Sequence, residues 1–175
     1  MDPLEPRFSE AEVLEAVRRI AKQISEDYRG KEPLLVGILK GSFVFLADLV
    51  RELDIPFEVD FIRARSYGKG THSSGAVQIT KDVETDLTDR HVLVVEDIAD
   101  TGLTMDVVVE RIRAGHPASV RRCALLVREN NCEIPIEYPG MTVGAGFVVG
   151  YGIDYAEGYR GLRDIQALAP EESHD

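Results

Sequence analysis

The chain has 175 residues, an apolar share of 44% and a formal net charge of −11, which fits about one domain with a buried core. The negative charge disfavours nucleic acids and anionic membrane surfaces as partners, and no apolar run approaches the roughly 18 residues of a membrane span. The acidic N-terminal segment does not fit a signal peptide, so we expect one cytoplasmic domain over 1–175 with a disordered acidic tail at about 170–175.

The first half of the chain alternates between helical and strand patterns. Ser9-x-x-Glu12 is a capping box that predicts the start of a helix, and apolar residues at helical spacing follow it until Gly30. The apolar run Leu34–Leu39 predicts a buried parallel strand, and the pattern returns to a helix over 43–53. A strand, a polar loop and a further strand complete this half, over 57–65, 66–75 and Ala76–Lys81.

The second half continues this alternation. Four apolar residues at 92–95 predict a buried strand, and two acids, a small-residue turn and a helical pattern that opens at Thr104 follow it. The segment 120–127 predicts another strand, and the rest of the chain has an irregular pattern rich in glycine and tyrosine. Strands that alternate with helices predict an α/β fold, with a doubly wound, mostly parallel sheet flanked by helices.

The segment 92–104 combines groups that together suit a sugar phosphate. In an open α/β sheet, ligands lie beyond the carboxyl ends of the strands, where the Asp-Thr-Gly-Leu-Thr turn at 100–104 can aim backbone N–H groups and hydroxyls at a phosphate. The adjacent carboxylates of Glu96 and Asp97 suit vicinal hydroxyls or a hydrated metal ion. The alternative is that the aspartate and the second threonine of the turn only cap a helix, because these residue types are favoured there.

The same segment resembles the phosphoribosyl pyrophosphate motif of type I phosphoribosyltransferases, and specifically that of hypoxanthine-guanine phosphoribosyltransferases. The resemblance implies a small hood over the parallel sheet, built from the terminal segments. It implies an enzyme of purine salvage that moves the 5-phosphoribosyl group from phosphoribosyl pyrophosphate to hypoxanthine or guanine, with Mg²⁺ as cofactor and IMP or GMP as product. It also implies that Asp100 is the general base and that the protein is a homodimer or homotetramer.

Two further segments match this family near the predicted strand ends. Lys40 and Gly41 follow the first buried strand, and the resemblance implies that they hold pyrophosphate after a cis peptide between Leu39 and Lys40; alone, this sequence is an ordinary turn. Ser66 and Tyr67 open the polar loop, and the resemblance implies a lid that excludes water from the reacting centre. The residue pattern alone favours a plain hairpin connection.

A third matching segment follows later in the chain. The resemblance implies that Phe147 stacks on the purine, that the Val148 backbone reads the purine edge, that Asp154 holds magnesium through water and that Arg160 contacts pyrophosphate. The alternatives are a last core strand for Phe147 and the valines, and a surface ion pair for Asp154 and Arg160. The resemblance assigns to phosphoribosyl pyrophosphate the residues Lys40, Gly41, Ser66, Tyr67, Glu96, Asp97, Asp100, Thr101, Gly102, Leu103, Thr104 and Arg160. It assigns to the purine Arg128, Phe147, Val148 and Asp154. It assigns to Mg²⁺ Glu96, Asp97 and Asp154.

The base-recognition region departs from the family pattern. Arg128 stands where the family usually carries a lysine that donates to the 6-oxo group of the purine, and arginine is longer, planar and fork-shaped. The stretch 129–137 is shorter than usual, and the Gly-Ala-Gly sequence at 144–146 replaces the usual acidic-proline approach to Phe147. The preferred 6-oxopurine therefore stays open, with a xanthine- or guanine-specific transferase as one alternative. An RNA-binding regulatory relative on the same fold is disfavoured by the net charge of −11 and by Asp100.

Overall fold

The structure is a computed structural model, and it describes residues 4–67 and 76–168. The predicted acidic tail and residues 68–75 of the predicted loop lie outside the described residues. No described helix has the length and hydropathy needed to cross a membrane. In chain order the elements are β1 (Leu4–Phe8), α1 (Glu10–Asp27), β2 (Leu34–Leu39), α2 (Phe43–Glu52), β3 (Glu58–Tyr67), β4 (Ala76–Lys81), β5 (His91–Ala99), α3 (Leu103–Arg113), β6 (Ser119–Arg128), β7 (Tyr138–Val143), β8 (Val148–Val149) and β9 (Ile165–Leu168).

Six of the strands form one sheet in the order β4-β3-β2-β5-β6-β7. All neighbours in this sheet are parallel except β3 and β4, which are antiparallel. The chain extends the sheet in one direction from β2 and in the other direction from β5, so the topology reverses between these two strands. The predicted doubly wound, mostly parallel sheet is confirmed. In such sheets, ligands bind beyond the carboxyl ends of the strands that flank the reversal.

Helices pack on both faces of the sheet because the central strands are apolar on both sides. Leu35 and Leu93 are register partners, and both are fully buried in the cluster that contains residues of α1 and α2. The next partners along the strands, Val36 and Val94, belong to the second cluster, which contains the buried residues of α3. Continuous apolar runs are typical of parallel strands that are buried on both faces.

A second, smaller sheet has the order β1-β9-β8, and its pairs are antiparallel. It joins the first described strand to the last two, and this is the small hood that the resemblance implies. The expectation of an irregular chain beyond 127 is wrong, because β7, β8 and β9 lie there. β8 has only two residues, and Pro139 and Gly140 interrupt the strand pattern of β7.

The ends of three elements confirm one prediction and correct two. Ser9 Oγ accepts a hydrogen bond from Glu12 N at 3.3 Å, and Glu12 Oε2 accepts one from Ser9 N at 2.8 Å, so the capping box is confirmed. β3 continues through Ser66 to Tyr67 because it pairs with β4, so the predicted loop starts too early in the sequence. β5 continues to Ala99 because it pairs with β6 along its length, so the acid pair lies within the strand.

Candidate active site

The neighbouring strands β2 and β5 bring the predicted pyrophosphate loop against the predicted acid pair. The Leu39–Lys40 peptide that joins β2 to this loop is cis, as the resemblance implies. A Cβ atom on Gly41 would collide with the carboxylate of Asp97, so a larger residue at position 41 would displace that side chain. Two motifs that are far apart in the sequence therefore share one surface.

Glu96 is buried and Asp97 is partly buried, and burial disfavours the charged form of a carboxylate. Only 8% of Glu96 is exposed, and burial together with the negative charge of Asp97 raises the pKa of the Glu96 carboxyl well above its ordinary 4.5. Burial raises the pKa of Asp97 from 3.8 to about 6, although backbone N–H donors and the charge of Arg160 act in the opposite direction. Poorly compensated carboxylates of this kind suit an incoming cation or hydroxyl donors. Within 4–67 and 76–168, no group of three or more acidic, histidine or cysteine side chains is arranged to hold a metal ion.

The turn at 100–104 leads from β5 into α3. Gly102 has a φ of +89°, a left-handed conformation that suits glycine, and a Cβ atom there would collide with Ile134. The N-cap residue of α3 is Gly102, which has no side chain to cap the helix, so neither Asp100 nor Thr104 is the cap and the helix-capping alternative is wrong. Leu103 N donates to Thr101 Oγ1 at 3.2 Å, and the other first-turn N–H groups are available to an anion. A small cavity of about 70 Å³ lies here, lined by Glu96, Ile98, Asp100, Thr101, Gly102, Leu103 and Thr104.

The segment that follows β8 carries a group of charges to the pyrophosphate loop. Arg160 Nη2 lies 2.7 Å from Asp154 Oδ1, and Arg160 Nη1 donates to Gly152 O at 2.8 Å. Lys40 Nζ contacts both carboxylate oxygens of Glu157 at 3.0 Å, and Arg160 Nη2 contacts the same carboxylate at 3.3 Å. The ion pair between Asp154 and Arg160 is present, as the plainer alternative predicted. Because Glu157 joins it to Lys40, this pair is part of the site.

A larger cavity of about 430 Å³ also includes Asp100 in its lining. Phe147 lines it with 67% of its surface exposed, and its ring packs edge-to-face on Tyr155 with the ring centroids 5.9 Å apart. Phe147 is therefore not a core strand residue, whereas Val148 and Val149 are buried in β8. An exposed ring beside a cavity offers a stacking surface to a planar ligand. The cavity is lined by Asp100, Arg128, Glu129, Asn131, Ala145, Gly146 and Phe147.

Two side chains in this larger cavity donate to Asp100. Asn131 Nδ2 lies 2.6 Å from Asp100 Oδ1, and Arg128 Nε lies 3.4 Å from the same oxygen. Arg128 Nη1 also donates to the carbonyl oxygens of Gly144 and Gly146, the latter at 3.0 Å. The guanidinium therefore links Asp100 to the glycine-containing segment that leads to the exposed aromatic ring.

Comparison with known proteins decides the family. The family described as phosphoribosyl transferase domain matches residues 9–156. The chain belongs to the phosphoribosyltransferases. The family expected from the segment 92–104 is thereby confirmed.

Named relatives and a solved structure place this phosphoribosyltransferase more narrowly. It is 44% identical over 165 residues to the hypoxanthine-guanine phosphoribosyltransferase of Streptococcus pneumoniae, and the alignment covers 93% of this chain and 92% of that protein. It is also 44% identical over 166 residues to the bifunctional protein TilS/HprT of Listeria monocytogenes, and this alignment covers 94% of this chain but only 26% of that protein. The crystal structure of a hypoxanthine-guanine phosphoribosyltransferase from Bacillus anthracis matches with a TM-score of 0.90 and 37% identity, over 97% of this chain and 100% of that one.

The geometry of this phosphoribosyltransferase includes two residues that the sequence did not indicate. Asn131, which contacts Asp100, lies in the stretch 129–137, of which the sequence analysis noted only the short length. Glu157, which contacts Lys40, lies between Asp154 and Arg160, and only those two residues were predicted to belong to the site. No pattern in the sequence distinguishes either residue from an ordinary surface residue. The side chains of Ser66 and Tyr67 lie outside the described part of the chain, so their predicted lid role stays a prediction.

Proposed function

We propose that this phosphoribosyltransferase acts in purine salvage and transfers the 5-phosphoribosyl group from phosphoribosyl pyrophosphate to hypoxanthine or guanine. The bond from ribose C1 to the pyrophosphate oxygen breaks, a bond from C1 to a purine ring nitrogen forms, and that nitrogen loses its proton. One observation carries the proposal: Asp100 lines both the small cavity at the start of α3 and the larger cavity beside Phe147. A carboxylate that borders a phosphate site and a base site stands where donor and acceptor meet.

The donor half of the site would be built on β2, β5 and α3. Glu96 and Asp97 would accept hydrogen bonds from the ribose hydroxyls, and the N–H groups and hydroxyls of the turn at 100–104 would bind the 5-phosphate. Lys40 and Arg160, which lie close together through Glu157, would stabilise the negative charge that grows on the departing pyrophosphate.

The residues on β5 also fit the Mg²⁺ that the resemblance implies. Burial and the negative charge of Asp97 raise the pKa of Glu96, and burial and the negative charge of Asp154 raise the pKa of Asp97, so a nearby cation would relieve an unfavourable charge. Mg²⁺ commonly keeps several waters and binds one or two carboxylates together with substrate phosphates, so a site with fewer than three protein ligands is consistent with it. Glu96 and Asp97, with Asp154 through water, would hold the ion. When bound, it supplies neutralisation of pyrophosphate charge.

The acceptor half would be built around the larger cavity. Phe147 would stack on the purine, the Val148 backbone would contact its edge and Arg128 would donate to the 6-oxo group. Asp100 would take the proton from the ring nitrogen as general base. The names of the relatives support a 6-oxopurine as acceptor. The homo-oligomeric state that the resemblance implies and the cytoplasmic location expected from the N-terminal sequence stay predictions.

The test is an assay of pyrophosphate release by the purified protein. The reaction contains phosphoribosyl pyrophosphate, Mg²⁺ and one base from the set hypoxanthine, guanine, xanthine, adenine and uracil. We expect release with hypoxanthine, guanine or both, and mass spectrometry should identify IMP or GMP. Release with xanthine alone or with guanine alone would favour a xanthine- or guanine-specific transferase. Release only with adenine or uracil, or with no base, would contradict the proposal.

A further inference from the structure

The stretch 129–137 packs directly on the turn that holds Asp100. Glu133 N donates to Thr101 O at 3.2 Å, and the Ile134 side chain lies so close to Gly102 that a Cβ atom there would collide with it. The Asn131 contact with Asp100 is therefore one of several contacts between these two segments. A segment held at several points can hold a side chain in a fixed position.

Asp100 needs such a restraint because its side chain is 56% exposed. The torsion that orients a carboxylate is broad and roughly twofold, so an exposed carboxylate with no partner samples many orientations. Asn131 and Arg128 both donate to the same oxygen, Oδ1. Donors on one oxygen fix the plane of the carboxylate and leave Oδ2 as the acceptor.

The two donors are not equivalent. Asn131 Nδ2 lies 2.6 Å from Oδ1, a short hydrogen bond, whereas Arg128 Nε lies 3.4 Å away and its guanidinium also binds Gly146 O at 3.0 Å. If Arg128 turns to the 6-oxo group of a bound purine, its contact with Asp100 weakens further. Asn131 then remains as the donor that holds Asp100. A neutral amide also holds the carboxylate without adding a second acid that competes for the proton.

We propose that Asn131 is a positioning residue for Asp100, which orients Oδ2 towards the ring nitrogen of the purine. The inference rests on the proposed function, because it takes Asp100 as the general base. Asn131 Nδ2 keeps its hydrogen bond to Oδ1 while Oδ2 accepts the proton, so no further reactant is required. Asn131 itself gains and loses no proton.

The test compares variants of Asn131 with a matched variant of its neighbour. Asn131→Ala removes the donor and should lower kcat roughly 10–100-fold, because small misplacements of a catalytic group cost about this much. Asn131→Asp, which places a carboxylate against Asp100, should lose more, and Asn131→Gln, which keeps an amide donor, should recover part of the loss. The KM for phosphoribosyl pyrophosphate should stay within about twofold, because Asn131 does not line the small cavity. Asn130→Asp adds the same charge one residue away, at a φ of 55° that aspartate tolerates, and should keep wild-type kcat.

The outcomes separate this inference from the proposed function. Wild-type transfer to a 6-oxopurine together with the expected loss of kcat in the Asn131 variants supports both. Wild-type transfer with unchanged kcat in Asn131→Ala overturns the positioning role alone. A raised KM for the purine with unchanged kcat also overturns it, because Asn131 would then bind the base. Absence of transfer in the wild type overturns both, and calorimetric binding of phosphoribosyl pyrophosphate shows that each variant keeps its fold.

Discussion

Replacing Asp97 by asparagine should stabilise the ligand-free protein at neutral pH. Burial raises the pKa of this carboxyl from 3.8 to about 6, so the folded protein holds the proton more tightly than the unfolded chain does. Above pH 6 the folded protein carries a poorly compensated charge beside Glu96. Asparagine has nearly the same shape and removes that charge.

The size and sign of the effect follow from the two pKa values. The difference between a pKa of 3.8 and one of about 6 corresponds to a loss of at most about 3 kcal/mol in the free energy of unfolding. Because the side chain is partly exposed, we expect a loss of roughly 1–3 kcal/mol. Between these pH values the Asp97 carboxyl binds more protons in the folded state than in the unfolded state, so its contribution to the free energy of unfolding falls as pH rises from about 4 to 6. Asp97→Asn removes this fall. The variant should therefore match the wild type near pH 4 and exceed it at pH 7.

The assay is urea denaturation between pH 4 and pH 8, with a chelator present to exclude divalent ions. Asp54→Asn is the matched control, because Asp54 is exposed and lies outside the site. Added Mg²⁺ with phosphoribosyl pyrophosphate should stabilise the wild type more than Asp97→Asn, because the variant lacks one of the carboxylates that would hold the ion. An Asp97→Asn variant that is less stable than the wild type at pH 7 would refute the electrostatic reasoning.

Three further substitutions test the two halves of the site. Gly41→Ala places a Cβ atom against the carboxylate of Asp97, so steady-state kinetics should show a KM for phosphoribosyl pyrophosphate raised at least roughly tenfold. Glu157→Gln removes the negative charge that pairs with Lys40 and its neighbouring arginine, so inhibition by pyrophosphate should become a few-fold tighter, a modest gain because this ion pair is exposed. Arg128→Met should abolish the preference for 6-oxopurines over adenine, mainly by loss of 6-oxopurine activity, in a competition assay between the bases.

Each of these substitutions has a control or an opposing outcome. Gly161→Ala adds a Cβ atom with no neighbour within 4 Å, so it should keep the wild-type KM, and an equal KM in Gly41→Ala would remove the steric argument. Unchanged or weaker inhibition of Glu157→Gln would mean that this carboxylate does not compete with pyrophosphate. Arg128→Lys should keep activity with altered ratios between the 6-oxopurines, and unchanged ratios in Arg128→Met would assign base reading to another residue.

The donor half of the site was predictable because its residues are close in sequence. The apolar strand, the acid pair and the turn at 100–104 form one continuous segment. The donor site then requires only that the end of β2 lie beside this segment. The apolar runs of β2 and β5 predict this neighbourhood, because buried parallel strands align their carboxyl ends. The cis peptide before Lys40 followed from the resemblance alone, since no residue pattern indicates it.

The remaining contacts of the site were less predictable because they are tertiary. Asn131 reaches Asp100 across 31 residues, and Glu157 reaches Lys40 across 117 residues. The hood depends on pairing between the two ends of the described chain, with Leu4 opposite Leu168. Short strands that gain their stability from a distant partner carry little periodicity of their own.

The most direct test of the central claim is the single-turnover rate of IMP formation by Asp100→Asn. Enzyme in excess is saturated with Mg²⁺, phosphoribosyl pyrophosphate and hypoxanthine, so that the rate reports the chemical step. We predict that the variant binds both substrates but forms IMP roughly 10²–10⁴-fold more slowly than the wild type, the usual contribution of a general base. A near wild-type rate at neutral pH would show that the proton leaves the purine by another route, and would contradict the role of Asp100.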